Sequence, residues 1–201
     1  MLFLYKTAIT LCWIYSKLFF KVKIDGLEEP PHVTGYILTA NHTSYFDPFI
    51  VAKYVKRPIR FLAFKRFFKH PLSNFFMRRW LAIPIDTESI EKKTLETAIK
   101  YLKQDTIVGI FPEGKINKSG QEVQMQTGVA LLAMHSRKPI LPVRIEGTRN
   151  LYRPTIFKKK PITISFKPVI HTEEFINTFE GEGTKKIRNR LIQLIQNRIF
   201  L

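Results

Sequence analysis

Tyr36-Ile37-Leu38-Thr39-Ala40-Asn41-His42-Thr43-Ser44-Tyr45-Phe46-Asp47-Pro48-Phe49-Ile50-Val51-Ala52 is the stretch that decides the fold. Its first five residues form a short apolar run, the pattern of a strand buried on both faces. Phe49-Ile50-Val51-Ala52 reads as the start of a helix, with Pro48 suited to a first helical turn. Between the two, His42 stands five residues before Asp47. Imidazole titrates near neutrality, and a carboxylate on one ring nitrogen leaves the other free to take a proton. The pair is therefore a candidate general base with its orienting acid. A plainer reading has Asp47 or Ser44 capping the helix and His42 as an ordinary loop residue. The two are compatible, because a cap also fixes a side chain in space.

The same alternation of strand and helix extends outward from this stretch. Upstream, Lys21-Val22-Lys23-Ile24-Asp25 alternates like a strand ended by Gly26, and Glu28-Glu29-Pro30-Pro31 reads as a turn. Downstream, the helix runs to about Val55, and Ile59–Phe64 is the next strand. A basic, aromatic stretch follows as short helices broken at Pro71. Ala82-Ile83-Pro84-Ile85 is a short strand whose proline argues for an edge or an end. Ser89–Gln104 carries apolar residues on one helical face and charges on the other. Thr106–Phe111 is a buried strand, Gly128–Ser136 a small-residue helix, and Ile140–Ile145 and Ile162–Phe166 further strands. Thr184–Phe200 closes the chain as a helix with Ile187, Leu191, Leu194, Ile195 and Ile199 inward. This order predicts an α/β fold: a single domain with a mostly parallel, mixed central sheet flanked by helices. Sites in such sheets gather beyond the carboxyl ends of the strands, where His42 and Glu113 both stand.

At 201 residues and 45% apolar, the chain is long enough for one domain with a sizeable core. Its single cysteine, Cys12, excludes an internal disulfide and a Cys-based zinc site. His32, His70, His135 and His171 lack partners at a metal-ligand spacing, and no dinucleotide or Walker fingerprint is present, so neither metal nor cofactor is expected. The net charge of +17 implies an anionic partner: nucleic acid, an acidic membrane surface or phosphorylated substrates. From Pro48 to Ile85 there is no Asp or Glu, and nine Lys and Arg residues there interleave with large aromatic ones. That mixture suits an anionic bilayer interface. Single-stranded nucleic acid is a rival partner, and a solvated basic face over core phenylalanines is a plainer alternative. Residues 1–20 read as a hydrophobic helix interrupted by Lys6 and Lys17, which fall with Thr10 in one narrow arc. Such a helix is expected to lie in a membrane interface rather than span one, with docking on the domain's own core as the alternative. The chain thus divides into a membrane-interface helix, 1–20, and a domain, 21–201.

A second constellation, Phe111-Pro112-Glu113-Gly114-Lys115, ends a strand and continues into Asn117-Lys118-Ser119-Gly120. Glycines permit close backbone approach, and lysines supply charge for a phosphate. Two further blocks follow, Gln126-Thr127-Gly128-Val129-Ala130 and Pro139-Ile140-Leu141-Pro142-Val143. Together with Asn41–Pro48, these blocks resemble the glycerolipid acyltransferases, the family of 1-acylglycerol-3-phosphate acyltransferases, in order and spacing over roughly residues 20–150.

The resemblance implies acyl transfer from a thioester, acyl-CoA or acyl carrier protein, to the free hydroxyl of a lysophospholipid. The foremost acceptor is 1-acylglycerol-3-phosphate, giving phosphatidate. In that family the histidine matching His42 deprotonates the acceptor, the aspartate matching Asp47 orients it, and no covalent acyl-enzyme forms. Glu113 and Gly114 match residues that bind the glycerol phosphate part, and Lys115 holds a position where the family has a cationic or hydroxyl residue. Backbone N–H groups near the helix start are candidate donors to the oxyanion. The second family block departs from the pattern. Phe64 stands in place of a lysine with Lys65 beside it, Arg66 replaces a glutamate, and Leu81–Thr87 lacks the usual glycine and arginine. Lys65, Arg66 and Arg79, with Arg78 and Lys115, are the candidate replacements. The resemblance further implies a peripheral or monotopic enzyme on the cytoplasmic face of the membrane. Its partners would be anionic membrane lipids, the acyl donor and a lysolipid, not nucleic acid. Two alternatives stand beside this reading: the same chemistry on another lysolipid, such as a lyso-amino-acid lipid, and a basic non-enzymatic protein that binds membranes or nucleic acid.

Overall fold

The run Ile37–Ala40 becomes strand β2, with all four residues buried at the centre of a sheet. The computed structural model describes residues 2–26, 34–55, 57–86, 91–117, 123–152 and 159–201. The expected turn at Glu28–Pro31, the Ser89-Ile90 helix start, the Lys118–Gly120 loop end and His32 lie outside those residues. On one side of β2 lie β5 (Ile107–Ile110), β3 (Ile59–Phe64) and β4 (Ile83–Ile85); on the other lie β6 (Ile140–Glu146), β7 (Lys160–Phe166) and β1 (Phe20–Asp25). The described residues thus build a seven-stranded sheet in the order β1-β7-β6-β2-β5-β3-β4. Only the β6–β7 pair is antiparallel among these neighbours; the rest pair in parallel. The mixed, mostly parallel sheet is the expected one. Pro84 sits in edge strand β4, where a missing N–H costs no ladder bond.

Helices α1 (Leu2–Phe19) and α2 (Asp47–Tyr54) pack in the hydrophobic layer on one face. On the other lie α4 (Lys92–Lys103), α5 (Gly128–Ser136) and α7 (Thr184–Phe200), joined by Phe175 of the short α6 (Thr172–Thr178). Helix α3 (Pro71–Arg79) carries the basic aromatic stretch, after a 3₁₀ turn at Lys65–Phe68. The connection from β2 to β3 passes over β5 by way of α2, and the one from β5 to β6 passes back over β2 by way of α5. Adjacent strands β2 and β5 therefore send their chains to opposite faces, which opens a crevice beyond their carboxyl ends. His42 follows β2 and Glu113 follows β5 at that crevice.

Helix α1 takes part in the core. Tyr5, Ile9, Cys12 and Ser16 form its buried face, at the three- and four-residue spacing of one helical side. The Ile59 N–H donates to Tyr5 Oη at 3.0 Å, and Tyr15 Oη donates to the Leu151 carbonyl at 2.8 Å. The opposite side leaves Leu2, Phe3, Leu11, Ile14 and Leu18 exposed. Among the described residues no helix is long and apolar enough to cross a membrane. Within β5, Gly109 admits a neighbour that no other residue would: a Cβ there would fall 2.3 Å from the Phe61 ring.

Candidate active site

The loop from Asn41 to Phe46 turns the chain from β2 into α2, and Asp47 organises it from beneath. Its Oδ2 accepts from the Thr43 N–H at 2.7 Å, the Ser44 N–H at 2.8 Å and His42 Nδ1 at 2.9 Å. The carboxylate is wholly buried, whereas 16% of the His42 side chain is exposed. Asp47 is thus the first residue of α2 and not its cap; Phe46 holds the cap position, with no side-chain bond. Ser44 Oγ accepts the Phe46 N–H at 3.2 Å, in the turn that leads into the helix. With a carboxylate accepting at Nδ1, the imidazole carries its proton there and keeps a lone pair on Nε2. The N–H groups of Thr43 and Ser44 are given to Asp47, and that of Asp47 to the Ser44 carbonyl.

Two neighbouring strands steady the loop. The Asn41 side chain continues the β2–β6 ladder, its Nδ2 donating to the Ile145 carbonyl at 2.8 Å and its Oδ1 accepting the Ile145 N–H at 2.7 Å. Thr43 Oγ1 meets Thr148 Oγ1 at 2.7 Å. From the β5 side, the Phe111 ring stacks on His42 at 4.1 Å between centroids, and Phe61 stacks on Phe111 at 5.4 Å. Gly109 makes room for that pile.

Glu113 is 4% exposed, and its Oε1 accepts the His42 backbone N–H at 2.9 Å. Burial pushes its carboxyl above the ordinary range, while the His42 N–H and the Asn117 side chain pull the other way. The Asn117 N–H donates in turn to the His42 carbonyl at 2.7 Å. Gly114 adopts φ +67°, where a side chain would be strained, and an added Cβ would fall 2.3 Å from Gln126 Nε2.

His42 opens onto a cleft of about 890 Å³. Its walls are largely apolar: Tyr5, Ile9, Cys12 and Tyr15 from α1, Phe46 and Phe49 at α2, Phe61, Leu62 and Phe64 on β3, and Met77 and Trp80 at α3. Polar groups join at His42, Arg66, Asp86, Gly114, Lys115 and Gln126, and the first turn of α5 contributes Gly128 and Val129. Of the residues singled out in the sequence, His42, Gly114, Lys115 and Arg66 line this cleft, and Asp47 supports it from below. Glu113, Lys65 and Arg79 do not line it. Lys65 is paired with Glu91 and stands 3.7 Å from Asp86; Arg79 lies over the Phe75 ring at 5.0 Å. The α1 wall was not visible in the sequence, because an apolar helix does not declare which side it docks.

Cys12 is the one thiol of the chain, and it stands in that wall. Burial, aided by the charge of Asp47, pushes it up to about 12, which keeps it protonated and poorly nucleophilic.

A family model for the acyltransferases matches residues 21–146. A 1-acyl-sn-glycerol-3-phosphate acyltransferase of Bacillus subtilis is 24% identical over 87% of this chain and 86% of its own length. The enzyme of the same name from Borreliella burgdorferi is 25% identical over 88% of this chain and 72% of its own. Among solved structures, the 1-acyl-sn-glycerophosphate (LPA) acyltransferase PlsC from Thermotoga maritima has the same fold, with a TM-score of 0.72 and 21% identity over 96% of this chain and 77% of that one.

Proposed function

We propose, from the premise that this chain belongs to the acyltransferase family, that it moves an acyl chain from a thioester to the hydroxyl of a lysophospholipid at a membrane surface. The observation that carries the reading is the His42–Asp47 pair at 2.9 Å at the mouth of an apolar cleft. His42 Nε2 takes the proton of the acceptor hydroxyl as its oxygen attacks the thioester carbonyl. The tetrahedral intermediate collapses with cleavage of the C–S bond, and the imidazolium returns its proton to the leaving thiolate. Asp47, buried beneath the ring, holds the tautomer and balances the imidazolium. No acyl-enzyme is required, which accords with a Cys12 thiol that stays protonated.

The foremost acceptor is 1-acylglycerol-3-phosphate, as the names of the relatives from Bacillus subtilis and Borreliella burgdorferi indicate for those proteins. Lys115 and Arg66 supply positive charge to the cleft, and the first turn of α5 adds the positive end of a helix dipole. Acyl-CoA and acyl carrier protein are the candidate donors. The exposed apolar side of α1, with Leu72, Phe75 and Phe76 on α3 and the surrounding cations, suits a peripheral seat on an anionic bilayer, on its cytoplasmic face. A second acceptor class is another lysolipid, such as a lyso-amino-acid lipid, because the second family block departs from the pattern at Phe64, Lys65 and Arg66.

The test is acyl transfer to a panel of lysolipids, with acyl-CoA and acyl carrier protein as alternative donors. Lysophosphatidate is expected to be the best acceptor; its failure beside turnover of another lysolipid selects the second class. His42→Ala is expected to lower kcat by about a thousandfold or more and Asp47→Asn by about a hundredfold. Turnover retained in His42→Ala would end the mechanism.

A further inference from the structure

The carboxylate of Glu113 is bonded to the chain itself. Its Oε1 accepts the N–H of His42, its Oε2 is buried without a hydrogen-bond partner among the described residues, and the residue is not among those that line the cleft that His42 opens onto. Four residues on in the same loop, the Asn117 N–H holds the His42 carbonyl at 2.7 Å. Both sides of the His42 peptide are therefore gripped by one short segment, and the ring of that segment's Phe111 covers the imidazole face. The left-handed turn at Gly114 lets the segment fold back tightly enough to offer a side-chain acceptor and a backbone donor to the same residue. Asp47 fixes the imidazole by its Nδ1, but a hydrogen bond at one ring nitrogen leaves the Cα free to shift. The grip on the peptide removes that freedom.

We infer that Glu113 is a positioning residue, which holds the backbone of His42 so that Nε2 stays in line with the attacking hydroxyl, and that it does not bind the acceptor. The inference rests on the acyl transfer proposed above. A neighbour at hydrogen-bond distance from a peptide N–H needs only an acceptor oxygen, so glutamine can take the place of glutamate and leucine cannot. A group that bound the acceptor would show itself in the KM for that acceptor. A group that aims the base shows itself in kcat, where a misplacement of about 1 Å costs about a hundredfold.

The experiment compares full-length wild type, Glu113→Gln and Glu113→Leu in steady-state transfer from acyl-CoA to lysophosphatidate in vesicles. Hydrogen exchange at the His42 amide is read in the same proteins. Glu113→Leu is expected to lose about a hundredfold in kcat with the acceptor KM within about twofold of wild type. Glu113→Gln should recover kcat to within about tenfold of wild type. The His42 amide should exchange at least about tenfold faster in Glu113→Leu than in Glu113→Gln. An acceptor KM raised in Glu113→Gln, or a kcat as low as that of Glu113→Leu, would overturn the inference, as would equal amide protection in the two variants. Should Glu113→Leu not fold, the KM and kcat of Glu113→Gln decide alone. Donor and acceptor are exchanged for the pair that the panel above selects where these two fail; a wild type inactive with every pair of that panel would defeat the proposed reaction, and the exchange comparison would still test the grip on His42.

Discussion

Three hydrogen bonds converge on Oδ2 of Asp47, two from peptide N–H groups and one from the imidazole, so a single oxygen shapes the loop and orients the ring. That economy explains why a residue that resembles a helix cap in sequence sits inside the helix instead. Cys12 shows the opposite use of burial. Its thiol, pushed up to about 12 mainly by desolvation, holds on the order of a thousandfold less thiolate at neutral pH than a free cysteine. We expect a thiol reagent at pH 8 to label Cys12 only after unfolding, and mass spectrometry after incubation with acyl-CoA to find no acyl adduct. Glu113 supplies a pH signature. Its carboxyl is raised in the folded protein, so the fold binds a proton that the unfolded chain releases. The stability this contributes is whole below the ordinary value of 4.5 and is lost as pH rises through the raised one. Glu113→Gln does not titrate there, so its thermal midpoint relative to wild type is expected to climb as pH rises from 4 towards 8; a constant difference would show an unshifted carboxyl. The His42–Asp47 spacing was legible because five residues suffice to place one beside the other. The Glu113–His42 bond was not, because it joins positions 71 apart and uses a backbone N–H that carries no sequence signal.

At the scale of elements, the strands and long helices were legible wherever a buried period ran for a full element. Helices α5 and α7 and strand β3 have the bounds the apolar pattern predicts. Helix α6 escaped notice because its seven residues are too few for a period to emerge. The antiparallel pairing of β6 with β7 escaped notice because register and direction are set by tertiary packing, not by either strand's own composition. Helix α1 combines both cases: its helicity is plain, but its two apolar sides differ only in what they meet. One side carries Tyr5, Ile9 and Cys12 into the core and the cleft; the other exposes Phe3, Ile14 and Leu18. Deleting the helix would confound anchoring with loss of the cleft wall. Replacing Phe3, Ile14 and Leu18 together by serine separates them. This variant is expected to lose most vesicle binding while its thermal midpoint stays within about 6 °C of wild type, since each of three surface changes rarely costs more than about 0.5 kcal/mol. A cosedimentation assay checks the first and a melting curve the second.

The whole molecule carries 33 Lys and Arg against 16 Asp and Glu. Charge of that kind draws a protein to an anionic surface over roughly 10 Å at 0.1 M salt and only about 3 Å at 1 M. Binding to vesicles rich in anionic lipid is therefore expected to exceed binding to zwitterionic ones by at least about tenfold at low salt, and to fall towards it as salt rises. Affinity that ignores both lipid charge and salt would leave the exposed apolar strip as the whole of the attraction. The basic excess was legible from composition alone. Its division of labour was not: Lys65 is held by Glu91, Arg60 lies over the Tyr101 ring, and Arg66 reaches the cleft, yet the three look alike in sequence.

The pile of rings that begins at Phe61 and ends on His42 also has a magnetic consequence. Protons held over an aromatic face resonate upfield, and the carbon-bound protons of the imidazole lie over Phe111 with only 19° between the two ring planes. Their resonances should stand apart from those of the other histidines in a proton spectrum of the folded chain. Because Phe61 and Phe111 also line the cleft, an alkyl chain that enters it is expected to disturb that shielding, and the imidazole then reports its arrival without any label.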